Sequence, residues 1–418
     1  MPDSSFFTAN RTAIFDKLEN GSIALLFAGH APRQSADAYY PFFANRNFVY
    51  LTGADGEFAQ DYVLLAAKHD NRVSETLFIT PCTEMIERWQ GKRLKPEEAV
   101  QITGIAATAP LDELPLRLHR LFATGKYASL WLDLERFTPS EPDGAVHLFA
   151  QQMLRTYPHL ALHDIYPLIR SKRTVKHPQE IEAMKKAMAV TRKGILAMMR
   201  ASRPGMREYE YKAIFDSALT SSGVLAPAFP PIISAGENNF YIHYHSYTGT
   251  AKDGDMILND VGACWDGLCN DVSRGWPANG TFSPRQSLLY TCAYNTSEYM
   301  FSILKPGIPM ADVDLTARKY CFEQLKAIGL CSAYEDVGKY MWHGGAHHVG
   351  YDVHDAVDMT LPLSPGMVFC VDIGIYCREW GIGFRLEDNC LITGTGCENL
   401  SKDIPRSMED IENAMKDK

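Results

Sequence analysis

His343-Gly-Gly-Ala-His-His-Val-Gly-Tyr-Asp-Val-His354-Asp355 is the stretch on which the reading of this chain turns. It carries His343, His347, His348 and His354, four imidazoles in twelve residues. Histidines this dense, interleaved with glycine, do not describe a solvated surface. Acidic segments flank the stretch. Before it, Asp260-Val-Gly-Ala-Cys-Trp-Asp-Gly-Leu-Cys-Asn-Asp271 has Gly262 and Gly267 between its terminal acids. A short hairpin there brings Asp260 and Asp271 to one point from adjacent strands. After it come Pro365-Gly-Met-Val-Phe-Cys-Val-Asp372 and Gly383-Phe-Arg-Leu-Glu387. Pro365-Gly366 turns the chain into one strand, Tyr376–Gly383 turns it again, and Arg385–Thr393 returns. Asp372 and Glu387 then face one another across an antiparallel ladder. Arg385, two residues before Glu387, falls on the same face as that acid.

The rest of the chain is that of an ordinary globular protein. Hydrophobic residues make up 46% and charged residues 22% of 418 positions, enough chain for two domains. With 41 basic against 50 acidic residues the net charge is −9, which disfavours nucleic acid as a partner. No apolar run approaches the roughly 20 residues of a bilayer span, so no membrane is expected. Met1-Pro2-Asp3-Ser4-Ser5 lacks the basic and apolar regions of a signal peptide, and the expectation is the cytoplasm. None of the ten cysteines forms a Cys-x-x-Cys pair. Cys264, Cys269, Cys370, Cys377 and Cys390 lie near the acidic segments and are read as small packed thiols.

Alternation along the first ~170 residues predicts an α/β layer with a mixed sheet. Its strands are expected at Ser22–Phe27, Phe48–Leu51, Tyr62–Ala66, Glu75–Ile79 and Leu130–Asp133. Helical spacing marks Pro96–Ile102, Leu111–Phe122 and Ala145–Thr156. A junction at Ile169–Pro178 separates a first domain, 1–170, from a second, 171–418. Pro178 suits a first helical turn, with Glu180 at its positive end. Helices are expected over Pro178–Ala201, Glu208–Ser221, Pro284–Ile303 and Met310–Ala327, and a short charged helix or tail over Ser407–Lys418. Strands at Ile232–Ser234, Met256–Val261, Gly267–Ser273, Met367–Ile375 and Arg385–Thr393 suggest one large antiparallel sheet flanked by helices.

Taken together, the acidic and histidine motifs resemble the proline-specific metallopeptidases of the pita-bread fold, aminopeptidase P and prolidase, relatives of methionine aminopeptidase. The resemblance implies that Asp260, Asp271, His347, Asp372 and Glu387 hold two divalent metal ions. One imidazole among four carboxylates selects Mn, Co, Fe or Zn ahead of Ca or Mg, with Mn the first expectation. His343 and His354 are then expected to contact substrate and steady the transition state, and Arg385 to clamp a ligand carboxylate. Asp372 takes the place of the acid that passes a proton to the departing proline nitrogen. Ser234-Ala-Gly-Glu-Asn-Asn-Phe-Tyr-Ile-His243-Tyr makes His243 a substrate-binding candidate, with Tyr376. His348 has no counterpart.

Asn45-Arg-Asn-Phe-Val-Tyr-Leu-Thr-Gly53 and Glu87-Arg-Trp89-Gln-Gly-Lys-Arg-Leu94 are similar to segments of the aminopeptidase P amino-terminal domain. Trp89 is accordingly either a lid residue for a neighbouring subunit, which implies a homodimer or homotetramer, or a packed side chain. The expected activity is hydrolysis of the bond between an amino-terminal residue and proline. Alternatives are a prolidase, a hydrolase of the same fold with another substrate, as in creatinase, and a peptide-binding relative with weakened catalysis.

One position departs from the family, where Glu-Pro stands in place of Asp372-Ile373. Asp is shorter by one methylene, about 1.5 Å, whereas metal–oxygen contacts sit close to about 2.1 Å. Loss of the proline frees the strand to move, and the expectation is that the two changes compensate.

Overall fold

The computed structural model describes residues 2–81 and 83–416. The chain divides into two compact units, Met1–Lys172 and Arg173–Lys418.

The first unit is built on six strands: β1 (Ser22–Phe27), β2 (Val63–His69), β3 (Arg72–Ile79), β4 (Thr108–Pro110), β5 (Ser129–Leu132) and β6 (Ala161–Asp164). Their order is β4-β3-β2-β1-β5-β6. β1 and β3 each run antiparallel to β2, while the β3–β4, β1–β5 and β5–β6 pairs are parallel. The sheet is therefore mixed, as expected. Ile23, Leu25, Leu65, Phe78, Leu130 and Leu132 form its core with Leu118, Phe122 and Met153 from the helices Leu114–Ala123 and Ala145–Thr156.

Phe48–Leu51 is not a strand. It lies within the helix Arg46–Thr52, every residue of which is buried. Asn45 caps this helix by accepting from the Phe48 N–H at 2.9 Å, and Gly53 ends it in the left-handed region at φ 69°. An apolar run buried on all sides carries no period that tells helix from strand.

In the second unit the helices Pro178–Ala201, Glu208–Ser221, Pro284–Ile303 and Met310–Ala327 have the expected bounds. Glu180 accepts from the His177 N–H at 2.7 Å and His177 Nδ1 from the Gln179 N–H, closing a reciprocal cap on the first of them. The final helix runs Met408–Lys416. Met184, Met188 and Met199 of the Pro178–Ala201 helix are buried.

The expected single sheet is two antiparallel sheets. One holds β7 (Ile232–Ala235), β8 (Met256–Val261) and β9 (Val272–Pro277) in the order β9-β8-β7. The other holds β10 (Ala346–His348), β11 (Val368–Cys377), β12 (Ile382–Ile392) and β13 (Cys397–Asn399) in sequential order. β9 and β12 meet through side chains instead of a backbone ladder. Arg274 on β9 donates to the Glu387 carbonyl at 2.8 Å and pairs with Asp388 at 2.7 Å. Gly275 permits the approach, since a Cβ there would stand 2.7 Å from the Phe384 Cβ. Among the described residues no helix is long and apolar enough to cross a membrane.

Candidate functional site

The hairpin from β8 to β9 pairs Asp260 with Ser273. Asp271 precedes Ser273 by two residues and so shares its face, which sets the two acids diagonally opposed. Gly262 is required at the closing point, because a Cβ there would lie 1.8 Å from the Asn270 carbonyl oxygen. Asn389 on β12 holds the Asp271 backbone by donating to its carbonyl at 2.7 Å.

On the second sheet Asp372 stands directly across from Glu387. The β11–β12 register runs unbroken from Val368 to Cys377, so no bulge offsets the shorter Asp372 side chain. The Asp372 N–H donates to the Gly345 carbonyl at 3.0 Å. β10 sets His347 opposite Cys370. His347 Nε2 lies 3.1 Å from Glu387 Oε1 and 3.6 Å from Asp271 Oδ2. Asp260, Asp271, Asp372 and Glu387 are all buried.

These donors do not form one symmetrical cage. Asp271, His347, Cys370 and Glu387 each bring a ligand atom into a group whose members lie within 4.8 Å of one another. Asp260 and Asp372 stand outside that group. Asp260 Oδ2 accepts from Arg385 Nη2 at 2.6 Å, and Asp372 Oδ2 is 3.1 Å from His343 Nδ1. The Oδ1 atoms of Asp260, Asp271 and Asp372 are buried and accept no hydrogen bond from any described residue. Buried polar atoms are otherwise almost always paired. Three such oxygens, with Glu387 and one imidazole, have the chemistry of a divalent-cation site.

Arg385 sits beneath the acids. Besides Asp260 it donates to the Tyr376 hydroxyl at 3.0 Å, the Ile242 carbonyl at 3.2 Å and Ser273 Oγ at 3.3 Å. Ser273 passes the network on by donating to Glu387 Oε2 at 2.8 Å. Tyr376 is fully buried, stacks on Trp342 and shares a 3.1 Å hydrogen bond with His343 Nε2, so it reaches the cleft through that histidine. Gly374 leaves room for the imidazole, as a Cβ there would stand 2.3 Å from His343 Nε2.

His354 stacks on His347 with ring centroids 4.2 Å apart. His243 is exposed and close enough to influence His354 electrostatically. His348 is buried against Phe369, away from the acids. The segment bearing His354 is anchored by Asp355, which pairs with Lys176 Nζ at 2.6 Å and with Arg173. In the first unit Trp89 is 83% exposed and is not part of that unit's core.

The electrostatics follow from crowding. Burial, then the Glu387 and Asp260 carboxylates, push Asp271 well above the usual range. Glu387 is raised by burial and by Asp372. Burial opposes the lowering of Asp372, but the His343 charge and hydrogen bond prevail. Burial lowers His347, but the Glu387 hydrogen bond and charge together with the Asp372 charge raise it to about 9. His354 drops to about 4 through burial and the neighbouring His347 and His243.

Despite burial, Arg173 and Lys176 hold Asp355 at about 2. Despite burial likewise, Arg274 and Arg406 hold Asp388 at about 2. Both folded values lie below the ordinary carboxylate value of about 4. Their stabilising contribution is therefore complete above about pH 4 and lost as pH falls toward 2. The melting-temperature gap between the native chain and Asp355→Asn should accordingly narrow across that interval in a pH series.

A family model for "Metallopeptidase family M24" matches residues 182–394, just over half of the chain. The chain belongs to that family. The M24 region is preceded by a match to "Aminopeptidase P, N-terminal domain" over residues 7–131. An Xaa-Pro aminopeptidase of Escherichia coli K12 is 28% identical over 98% of this chain and 97% of its own length. Among solved structures, a Bacillus anthracis chain provisionally assigned as aminopeptidase P is 39% identical, with a TM-score of 0.96 over 99% of both chains. E. coli aminopeptidase P with the inhibitor Pro-Leu is 27% identical, with a TM-score of 0.89 over 99% of this chain and 98% of that one. The M24 unit thus has the pita-bread fold expected from its motifs. Family membership makes this a hydrolase and implies divalent metal ions.

Three residues of the site carried no functional expectation: Ser273, Asn389 and Cys370. Each lies two residues along the chain from an acid, Asp271, Glu387 and Asp372 respectively, and the two-residue period of extended chain brings each to its acid's face.

Proposed function

We propose that this chain is a metal-dependent Xaa-Pro aminopeptidase, cleaving the bond between an amino-terminal residue and proline in peptides. The carrying observation is the convergence of Asp260, Asp271, His347, Asp372 and Glu387 from two sheets, with unpaired buried oxygens among them. Similarity to an Xaa-Pro aminopeptidase along nearly the full length of both chains supports it. No observation favours the prolidase, creatinase-like or binding-only alternatives.

In this reading those five residues hold two divalent ions, with Mn first among Mn, Co, Fe and Zn. When bound, such ions supply an activated water and polarise the carbonyl oxygen before proline. The side chains do the remainder. Arg385 fixes the Asp260 carboxylate in one orientation and leaves its other oxygen free. Asp372, 3.1 Å from His343 Nδ1, would take a proton and release it to the leaving nitrogen. His343, held from below by Tyr376, and His354, kept neutral beside His347, present ring nitrogens to substrate and developing charge. His243 lines the approach, and Trp89 caps the cleft of a second copy in a cytoplasmic homodimer or homotetramer.

The test is initial rates on Xaa-Pro dipeptides and Xaa-Pro-Yaa tripeptides during a Mn²⁺ titration. Cleavage that rises with metal supports the proposal, and silence beside an active control enzyme sinks it. Asp372→Glu adds the missing methylene and is expected to tighten Mn²⁺ about tenfold, the lower end of changes seen at metal-supporting groups. Unchanged affinity by calorimetry would count against Asp372 as a ligand. Light scattering checks the oligomer, and a monomer removes the role given to Trp89.

A further inference from the structure

Cys370 precedes Asp372 by two residues on β11, so both side chains leave the strand on the face that carries the acids. Its partner across the ladder is His347. Cys370 Sγ belongs to the group in which the donor atoms of Asp271, His347 and Glu387 lie within 4.8 Å of one another. That spacing suits donors around a single ion with bonds of about 2.0–2.3 Å. Asp372 is absent from the group and turns one oxygen toward His343 instead. The sulfur is also held in place, since Asn389 Nδ2 donates to it at 3.2 Å. Beside it, Asp271 Oδ1 is buried and accepts no hydrogen bond from the described residues.

We infer that Cys370 is a sulfur ligand of the cation held by Asp271, His347 and Glu387, a donor beyond the four carboxylates and one imidazole named above. The inference rests on the metal-dependent reading of the site given above. On binding, the thiol releases its proton to solvent and a sulfur lone pair is donated to the cation, with no change of oxidation state. A thiolate among carboxylates and one imidazole favours Zn, Co or Fe over Mn. The two halves of the centre are therefore unequal. The half around Cys370 takes the softer ion, and the half around Asp260 keeps an oxygen-rich environment.

The experiment strips the full chain of metal and reconstitutes it with Co²⁺ alone. The native chain is expected to show an intense near-ultraviolet sulfur-to-cobalt charge-transfer band beside weaker visible bands. Cys370→Ser should keep the visible bands and lose the ultraviolet one. Cys390→Ser, altered on the opposite face of β12, should keep both. A cobalt-loaded native chain without the ultraviolet band, or a band that survives in Cys370→Ser, overturns the inference. Should Cys370→Ser fail to fold, X-ray absorption at the zinc edge of the native chain decides instead. A sulfur scatterer at about 2.3 Å supports ligation, and a shell of oxygen and nitrogen alone overturns it. These readouts do not need turnover. An inactive chain that shows the band keeps the ligation and loses the peptidase reading, and an active chain without it does the reverse.

Discussion

Asp355→Ala is expected to destabilise the metal-free protein by about 3–5 kcal/mol, the range for removing one partner of a buried ion pair. The Asp355, Arg173 and Lys176 side chains are all shielded from solvent, and the carboxylate satisfies both cations. Truncating it leaves the Lys176 ammonium without a carboxylate where water cannot reach it, and leaves Arg173 to Asp352. Asp352 supplies the contrast. It also pairs with Arg173, but its side chain is 39% exposed, so Asp352→Ala should cost about 1 kcal/mol or less. Urea unfolding of the two variants gives the comparison. If Asp355→Ala lies within about 1 kcal/mol of the native chain, the burial argument is wrong. Because Asp355 adjoins His354, kcat/KM should fall in the same variant even where it remains folded.

Asp271→Asn is expected to lower kcat/KM by about a thousandfold or more, equivalent to about 4 kcal/mol of lost transition-state stabilisation. The substitution keeps the shape of the side chain and leaves the Asn389 hold on the Asp271 backbone untouched. It removes a charge that burial and two other acids already disfavour. Metal-free Asp271→Asn should therefore melt no lower than the native chain. What disappears is the rise in melting temperature on adding metal, since that rise requires a cation bound to the folded state. Lost activity with an intact metal-induced rise would place Asp271 outside the ligand set.

Much of this architecture could be read from the chain before folding was considered. The long helices have the bounds their caps and spacing indicated, because Pro178, Pro284 and the apolar stripes act locally. The cross-strand meeting of Asp372 and Glu387 was legible too, since two turns fix that register. Legibility failed where the deciding force was not local. Phe48–Leu51 is surrounded by core on every side, and only Asn45 and Gly53 at its margins mark it as helix. The division into two sheets depends on Arg274, Ser273 and Arg385 reaching across in space, which no run of neighbouring residues records. The sequence offers Cys370 only as a small packed thiol near an acidic segment, because nothing local separates it from the other cysteines. Its neighbours in space are Asp271, His347 and Glu387.

The acids of the centre come from β8 and the residue leading into β9 on one sheet and from β11 and β12 on the other, with long stretches of chain between. Neither sheet alone holds all of them, so the complete centre exists only once both sheets have formed. Pairings so distant in sequence close late, after the costs of loop closure have been met. The complete centre is therefore not available to a divalent ion as a template before the two sheets have met. The ion acts as a lock applied afterwards, relieving the mutual repulsion of acids that the backbone has already forced together. Cells poor in the metal would accumulate correctly folded but less heat-resistant copies, and restoring the metal should rescue them without renewed synthesis.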